Sequence, residues 1–154
     1  MAKVLVVYYS KTGNTGRLAD QIEQELVAAG KEIEKIRLAE EKGHSFLRDA
    51  LRALFRVKGK IKEANFNLEG YDAIFFGTPV WAGSPAPALN KYLEKCRGLE
   101  GKEVSIFITY GSGLGKGRAM RILEKIIEEK GGRVIQKLAV QEKEVFKERL
   151  RLVR

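Results

Sequence analysis

The chain has 154 residues, of which 44% are hydrophobic, and its formal net charge is +9 at pH 7. This length is typical of one domain and buries roughly 70% of the surface that the unfolded chain exposes. No apolar stretch approaches the ~20 residues of a membrane span, and the apolar run at the start is too short for a secretory signal. The single cysteine, Cys96, excludes an internal disulfide. We therefore expect one soluble, cytoplasmic domain over residues 1–154.

The predicted elements alternate along the chain between apolar strands and amphipathic helices. Residues 3–9, "KVLVVYY", form a near-continuous apolar run, as in a strand that is covered on both faces. Leu18, Ile22 and Leu26 then recur every four residues, which indicates a helix. In order, we predict strand 3–9, helix 15–29, strand 31–38, strand 71–77, helix 86–95, strand 102–110, helix 117–132, strand 133–140 and helix 142–154. This alternation favours an α/β fold with a doubly wound, five-stranded parallel sheet in a three-layer α/β/α arrangement.

The segment from Glu40 to Asn67 is extra to this pattern. Its apolar residues mark one face of a helix and its arginines mark the other, and Lys58, Lys60 and Lys62 follow as a basic excursion. An interaction domain that binds nucleic acid or an anionic membrane through residues 46–62 is one interpretation. Nucleic acid is disfavoured, because no exposed aromatic residues are interleaved with these cations. His44 has no neighbours that mark it as catalytic.

Three unusual loops follow the first, third and fourth of the predicted strands. In doubly wound sheets, ligands bind beyond the carboxyl ends of the strands, where the strand order reverses. Residues 10–15, "SKTGNT", place hydroxyl and amide donors and a glycine at a helix start, which suits a phosphate. The alternative is that these side chains only cap the helix. Neither a P-loop nor the dinucleotide fingerprint is present.

The other two loops suit a planar ring. Residues 78–89 contain all three prolines and the only tryptophan, Trp81, which would cover a flat ligand or anchor the loop on the core. Residues 109–117, "TYGSGLGKG", are rich in glycine, so their backbone can approach a ring edge, although a flexible turn has the same composition. A phosphorylated planar heterocycle fits all three loops, and flavin mononucleotide (FMN) is the obvious candidate.

These three stretches resemble the FMN loops of the flavodoxin superfamily over nearly the whole chain. "SKTGNT" is similar to the phosphate loop, and "GTPVWAGSPAPAL" and "TYGSGLGKG" are similar to the two loops around the flavin ring. The resemblance implies the strand order 2-1-3-4-5, the arrangement of flavodoxin itself. It implies that the phosphate is held by Ser10, Lys11, Thr12, Gly13, Asn14 and Thr15. The ring would be bordered by Pro79, Val80, Trp81, Ala82 and Gly83, and its pyrimidine edge read by Tyr110, Gly111, Ser112, Gly113 and Gly115.

The function that we expect is that of an electron carrier, with the redox chemistry supplied by the cofactor. The alternative is an NAD(P)H-dependent FMN enzyme that reduces a quinone or another small acceptor. Many flavodoxins are acidic, whereas this chain is basic and has Lys116 and Arg118 beside the third loop. These cations suggest a docking point for an acidic redox partner protein or for a nicotinamide nucleotide, and the alternative is that they form only the solvated start of a helix. Lys and Glu each occur 17 times and Asn and Gln four times each, a balance typical of proteins from hot habitats.

Overall fold

A computed structural model gives the structure of the protein, and it describes residues 2–39 and 66–145. Several predictions of the sequence analysis fall on other residues. They are the helix and basic excursion between residues 40 and 65, the loop around His44, and the terminal helix beyond residue 145. These predictions lie outside the described residues.

Five parallel strands form the central sheet. They are β1 (Lys3–Tyr8), β2 (Glu32–Arg37), β3 (Ala73–Trp81), β5 (Glu103–Tyr110) and β6 (Arg133–Gln141). A two-residue strand, β4 (Ser84–Pro85), pairs antiparallel with the end of β3. The order across the sheet is β2-β1-β3-β5-β6. Counted over the five long strands, this is the predicted order 2-1-3-4-5, so the flavodoxin-like fold class is confirmed.

Three helices cover the two faces of this sheet within the described part of the chain. They are α1 (Asn14–Ala28), α2 (Pro87–Lys95) and α3 (Lys116–Glu129). Buried side chains of α1 pack on one face with Val4, Val6 and Phe107. Buried side chains of α2 and α3 pack on the other face with Phe76 and Ile106. The three-layer arrangement follows from these two cores, because each strand of the sheet centre is apolar on both sides.

The predicted boundaries differ from the structure mainly at two places. The third predicted strand ends at Gly77, whereas β3 continues to Trp81. The described start of the predicted terminal helix is a single 3-10 turn, Glu142–Glu144, followed by Val145. Val145 is buried, and its carbonyl accepts a hydrogen bond of 2.8 Å from the Gln21 side chain of α1. This contact ties the end of the described chain to the α1 layer.

Candidate functional site

The first predicted loop links β1 to α1 and presents a row of unpaired donors. Among the described residues, the backbone N–H groups of residues 11–15 find no acceptor. Gly13 is the residue before α1 and provides no side-chain cap. A Cβ atom at Gly13 would meet nothing within 4 Å, so the space above this backbone is open. Free N–H groups at a helix start carry partial positive charge, and this loop can therefore bind an anion.

The side chains of this loop fall into two groups. Lys11 and Thr12 are exposed and Asn14 is half-buried, with the Asn14 amide donating to the Thr12 hydroxyl at 3.3 Å. Ser10 and Thr15 are buried. The Ser10 Oγ accepts from the Gly16 N–H at 3.1 Å, so the capping interpretation is correct for this residue, whose own proton stays available. The donors of the predicted phosphate loop thus come from the backbone as much as from hydroxyls.

Half of the second predicted loop is strand, so the prediction of a loop over residues 78–89 was wrong for these residues. Thr78 to Trp81 continue β3, and a two-residue turn then leads into β4. Ala82 and Gly83 have φ angles of 50° and 74°, as in a type I′ hairpin turn. A positive φ at a residue with a side chain is strained and is found mostly where function or packing requires it. Thr78 holds the hairpin, because its Oγ1 accepts from the Ala86 N–H at 2.9 Å.

Trp81 is at the end of β3 and contacts the first loop. Its ring meets the Tyr9 ring edge-on, with centroids 5.3 Å apart and planes at 86°. The Lys11 ammonium lies 5.3 Å from the centroid of the Trp81 ring. Trp81 is half-buried and belongs to neither core cluster. The Trp81 ring thus packs on the buried Tyr9 and remains partly exposed, so both alternatives, a ligand cover and an anchor of the loop, stay open.

The third loop runs from the end of β5 to α3 and touches the second segment closely. A Cβ atom at Gly115 would lie 2.5 Å from the Gly83 Cα, so only glycine allows this approach of the two backbones. The Gly111 carbonyl accepts from the Gln141 side chain at 3.0 Å. Ser112 is exposed. A Cβ atom added at Gly113 would lie 3.6 Å from the Tyr110 ring, so this glycine is next to the ring. The predicted residues of the second and third segments are thus brought together at one edge of the sheet.

Cations line this edge. The Lys116 ammonium lies 4.5 Å from the centroid of the Tyr110 ring and 3.4 Å from its hydroxyl. The Arg118 side chain passes over Gly83, with its Cδ 3.5 Å from a built Cβ. Lys116 and Arg118 thus place positive charge beside the second and third segments, which favours an anionic ligand or partner, while the Glu142 carboxylate lies 3.9 Å from a Cβ built at Gly111.

Sequence reasoning missed three residues of this edge. The buried Thr109 of β5 shares a hydrogen bond of 2.7 Å with Thr15, Tyr9 contacts Trp81, and Arg37 donates to the Ser10 carbonyl at 3.2 Å. Tyr9 directly precedes the first motif, "SKTGNT", and Thr109 is the first residue of the third, "TYGSGLGKG". Their position next to a strand end was a usable signal. Arg37 is distant in sequence and carried none.

No group of three His, Cys, Asp or Glu side chains among the described residues is placed to bind a metal ion. None of the described helices is both long and apolar enough to cross a membrane.

Comparisons with known proteins agree with this architecture. The sequence profile of the family described as "NADPH-dependent FMN reductase" matches residues 2–145. The chain is 29% identical over 119 residues to a flavodoxin from Nitratidesulfovibrio vulgaris (strain Miyazaki F), covering 77% of this chain and 60% of that protein. It is 33% identical over 100 residues to an NAD(P)H dehydrogenase (quinone) from Azorhizobium caulinodans, covering 64% of this chain and 49% of that protein. The chain thus spans about half to three-fifths of the length of these relatives.

A solved structure of a flavodoxin has the same fold. The two-electron reduced flavodoxin of Megasphaera elsdenii superposes with a TM-score of 0.64 at 25% identity, over 89% of this chain and 85% of the flavodoxin.

Proposed function

The chain belongs to the family of NADPH-dependent FMN reductases, within the flavodoxin-like FMN-binding superfamily, and we propose that it is an FMN-dependent electron carrier. The site fits this cofactor. The free N–H groups of residues 11–15 and the open space over Gly13 suit the phosphate. Trp81 and Tyr110 supply aromatic borders on two sides, and the strained turn at Ala82 and Gly83 brings a backbone edge to the same place.

The cofactor, when bound, supplies reversible one- and two-electron chemistry, and the protein binds and tunes it. Residues 10–15 hold the phosphate by hydrogen bonds and by the dipole of α1. The backbone of Pro79, Val80, Ala82 and Gly83 and the ring of Trp81 would border the flavin, and its polar edge would be bound by Tyr110, Gly111, Ser112, Gly113 and Gly115. Lys11 and Lys116 place positive charge near that ring, which favours the anionic reduced form.

The observation that carries this proposal is the convergence of the three segments at one edge of the sheet, made closest by the contact of Gly83 with Gly115. The test is to purify the protein and record its absorption spectrum, then release and identify the bound nucleotide. We expect FMN. Flavin-loaded protein that oxidises NADH or NADPH slowly or not at all would support the carrier.

The family match favours a second candidate, a reductase that takes hydride from NAD(P)H and passes it to a quinone or another small acceptor. The exposed Lys116 and Arg118 beside the site would then bind a nucleotide phosphate.

Lys116→Gln should raise the KM for NADPH several-fold. Lys125→Gln is the matched control, because Lys125 is exposed on the same helix and pairs with Glu129 at 3.9 Å. Rapid unaided turnover of NAD(P)H, sensitive only to the first substitution, would favour the reductase over the carrier.

We also propose that the protein is cytoplasmic and comes from a hot habitat. The second proposal is supported by the abundance of Lys and Glu, by the scarcity of amide side chains, and by the ion pairs of Lys35 with Asp20 and Glu23.

A further inference from the structure

Thr109 is a buried hydroxyl at the ligand edge of β5. It is 0% exposed, and it pairs in register with Pro79 of β3 and Val140 of β6. Its side chain is on the α1 face of the sheet, the face to which Phe107 of the same strand contributes. Its recorded partner is Thr15 in the first turn of α1, with 2.7 Å between the two Oγ1 atoms. A polar group this deep is normally kept because its partner matters.

The Thr15 hydroxyl has two ways to use its single proton. Either Thr15 donates to Thr109, or Thr109 donates to Thr15 and leaves the Thr15 proton for a third group. The free backbone N–H groups of residues 11–15 lie in the same turn as Thr15. An anion bound there accepts hydrogen bonds only, so it selects the second arrangement. A chain of donors from Thr109 to Thr15 to the anion then forms, and each bond polarises the next.

We propose that Thr109 is a positioning residue of the phosphate site, donating to the Thr15 hydroxyl so that the Thr15 proton points at the flavin phosphate. This inference rests on the proposed function, because it takes the anion to be the phosphate of FMN. It links β5, whose end begins the third loop, to the first loop at the start of α1. Thr109 itself touches no ligand.

The test measures flavin binding to the apoprotein by fluorescence quenching, with FMN and with riboflavin, which lacks the phosphate. Thr109→Val keeps the shape of the side chain and removes the hydroxyl. We expect FMN to bind roughly tenfold more weakly and riboflavin to change by less than about twofold. Thr109→Ser should restore FMN binding. Ser105→Ala is the control, because Ser105 is also a buried hydroxyl of β5. Ser105 is four residues before Thr109, so the two side chains lie on the same face of the sheet.

A double-mutant cycle with Thr15→Val gives the second readout. Once the Thr15 hydroxyl is absent, removing the Thr109 hydroxyl should cost no further FMN affinity. Equal weakening of FMN and riboflavin, or additive losses in the cycle, would overturn the inference, since either would show a general effect on structure. If the valine variant does not fold, comparing Thr109→Ala with Thr109→Ser tests the same hydroxyl. Failure of the unmodified protein to bind FMN would instead contradict the proposed function.

Discussion

The closest backbone contact of the site joins Gly83 and Gly115. Gly115 also has a φ angle of 79° as the residue before α3. We predict that Gly115→Ala lowers the free energy of unfolding by about 2 kcal/mol or more, because the added Cβ is strained by φ and blocked by backbone. FMN binding should weaken with it. Chemical denaturation and FMN titration measure the two effects.

The control for that substitution is Gly117, two residues further along, in the first turn of α3. A Cβ atom at Gly117 would meet only the flexible end of Arg121, at 3.5 Å. Gly117→Ala should therefore be neutral or stabilise the protein by up to about 1 kcal/mol. Equal destabilisation by both substitutions would mean that the contact between the two segments has no special role.

For single residues, the sequence predicts which ones lie at the site more accurately than it predicts which contacts each side chain makes. The motif predicts that Ser10 and Thr15 donate to a phosphate, and the structure shows both side chains buried and hydrogen-bonded within the protein. The position of Thr109 at a strand end places it near the site, but the sequence does not indicate its role, because a threonine in a strand is equally explained by its preference for extended backbone. Pairing between residues 94 positions apart depends on the sheet and helix packing, which no local pattern encodes.

Among the elements, the strands and helices with strong periodicity were predicted within a few residues. The exception is β3, because its Pro79 argues against a strand. Pro79 is tolerated because β1 ends beside Gly77, so β3 has a strand partner only on the β5 side at this level. Pro79, which has no N–H group, is therefore tolerated at this position of β3. The hairpin that follows contains the turn at Ala82 and Gly83, which is part of the site.

One side-chain contact between elements makes stability depend on alkaline pH. Tyr71 precedes β3 and donates to Glu34 of β2 at 2.6 Å. Burial and this hydrogen bond raise the pKa of Tyr71 above its ordinary value of 10.0. The folded protein therefore keeps a proton that the unfolded chain loses near pH 10. The stabilisation is fully present below that pH and is lost as the pH rises further.

We predict that Tyr71→Phe lowers the free energy of unfolding by about 1 kcal/mol at pH 8 and makes its decline above pH 10 less steep. Denaturant unfolding at several pH values gives both numbers. Glu103→Gln serves as the comparison, because Glu103 forms an exposed ion pair with Arg133 at 2.7 Å. An unchanged alkaline slope in the phenylalanine variant would rule out Tyr71 as a source of the pH dependence.

The charge of the whole molecule bears on the redox potential. The formal net charge is +9, and Lys116 lies beside Tyr110 at the proposed flavin edge. Positive charge stabilises the reduced anionic flavin, so the potential of the second electron should be less negative than in acidic flavodoxins. Lys116→Gln should lower it by about 10–40 mV, which corresponds to an exposed charge interaction of about 0.2–1 kcal/mol. Spectroelectrochemical titration measures it, and a potential as low as that of acidic flavodoxins would contradict this account.

Composition predicts stability of the molecule at high temperature. The thermal midpoint should lie above the range of about 45–65 °C that is common for mesophilic domains. Differential scanning calorimetry of the flavin-free protein is the measurement, since a bound cofactor would raise the midpoint by itself. A midpoint inside that range would contradict the hot habitat and leave the flavin site unaffected.

The central claim is that three separate segments of one sheet edge bind a single FMN. Trp81 is the only tryptophan and lies at that edge, so both its emission and that of the flavin report on binding. We predict that titrating the apoprotein with FMN quenches both signals together and saturates at one flavin per chain. Flavin emission that stays unquenched in excess apoprotein, with the Trp81 signal unchanged, would contradict the account.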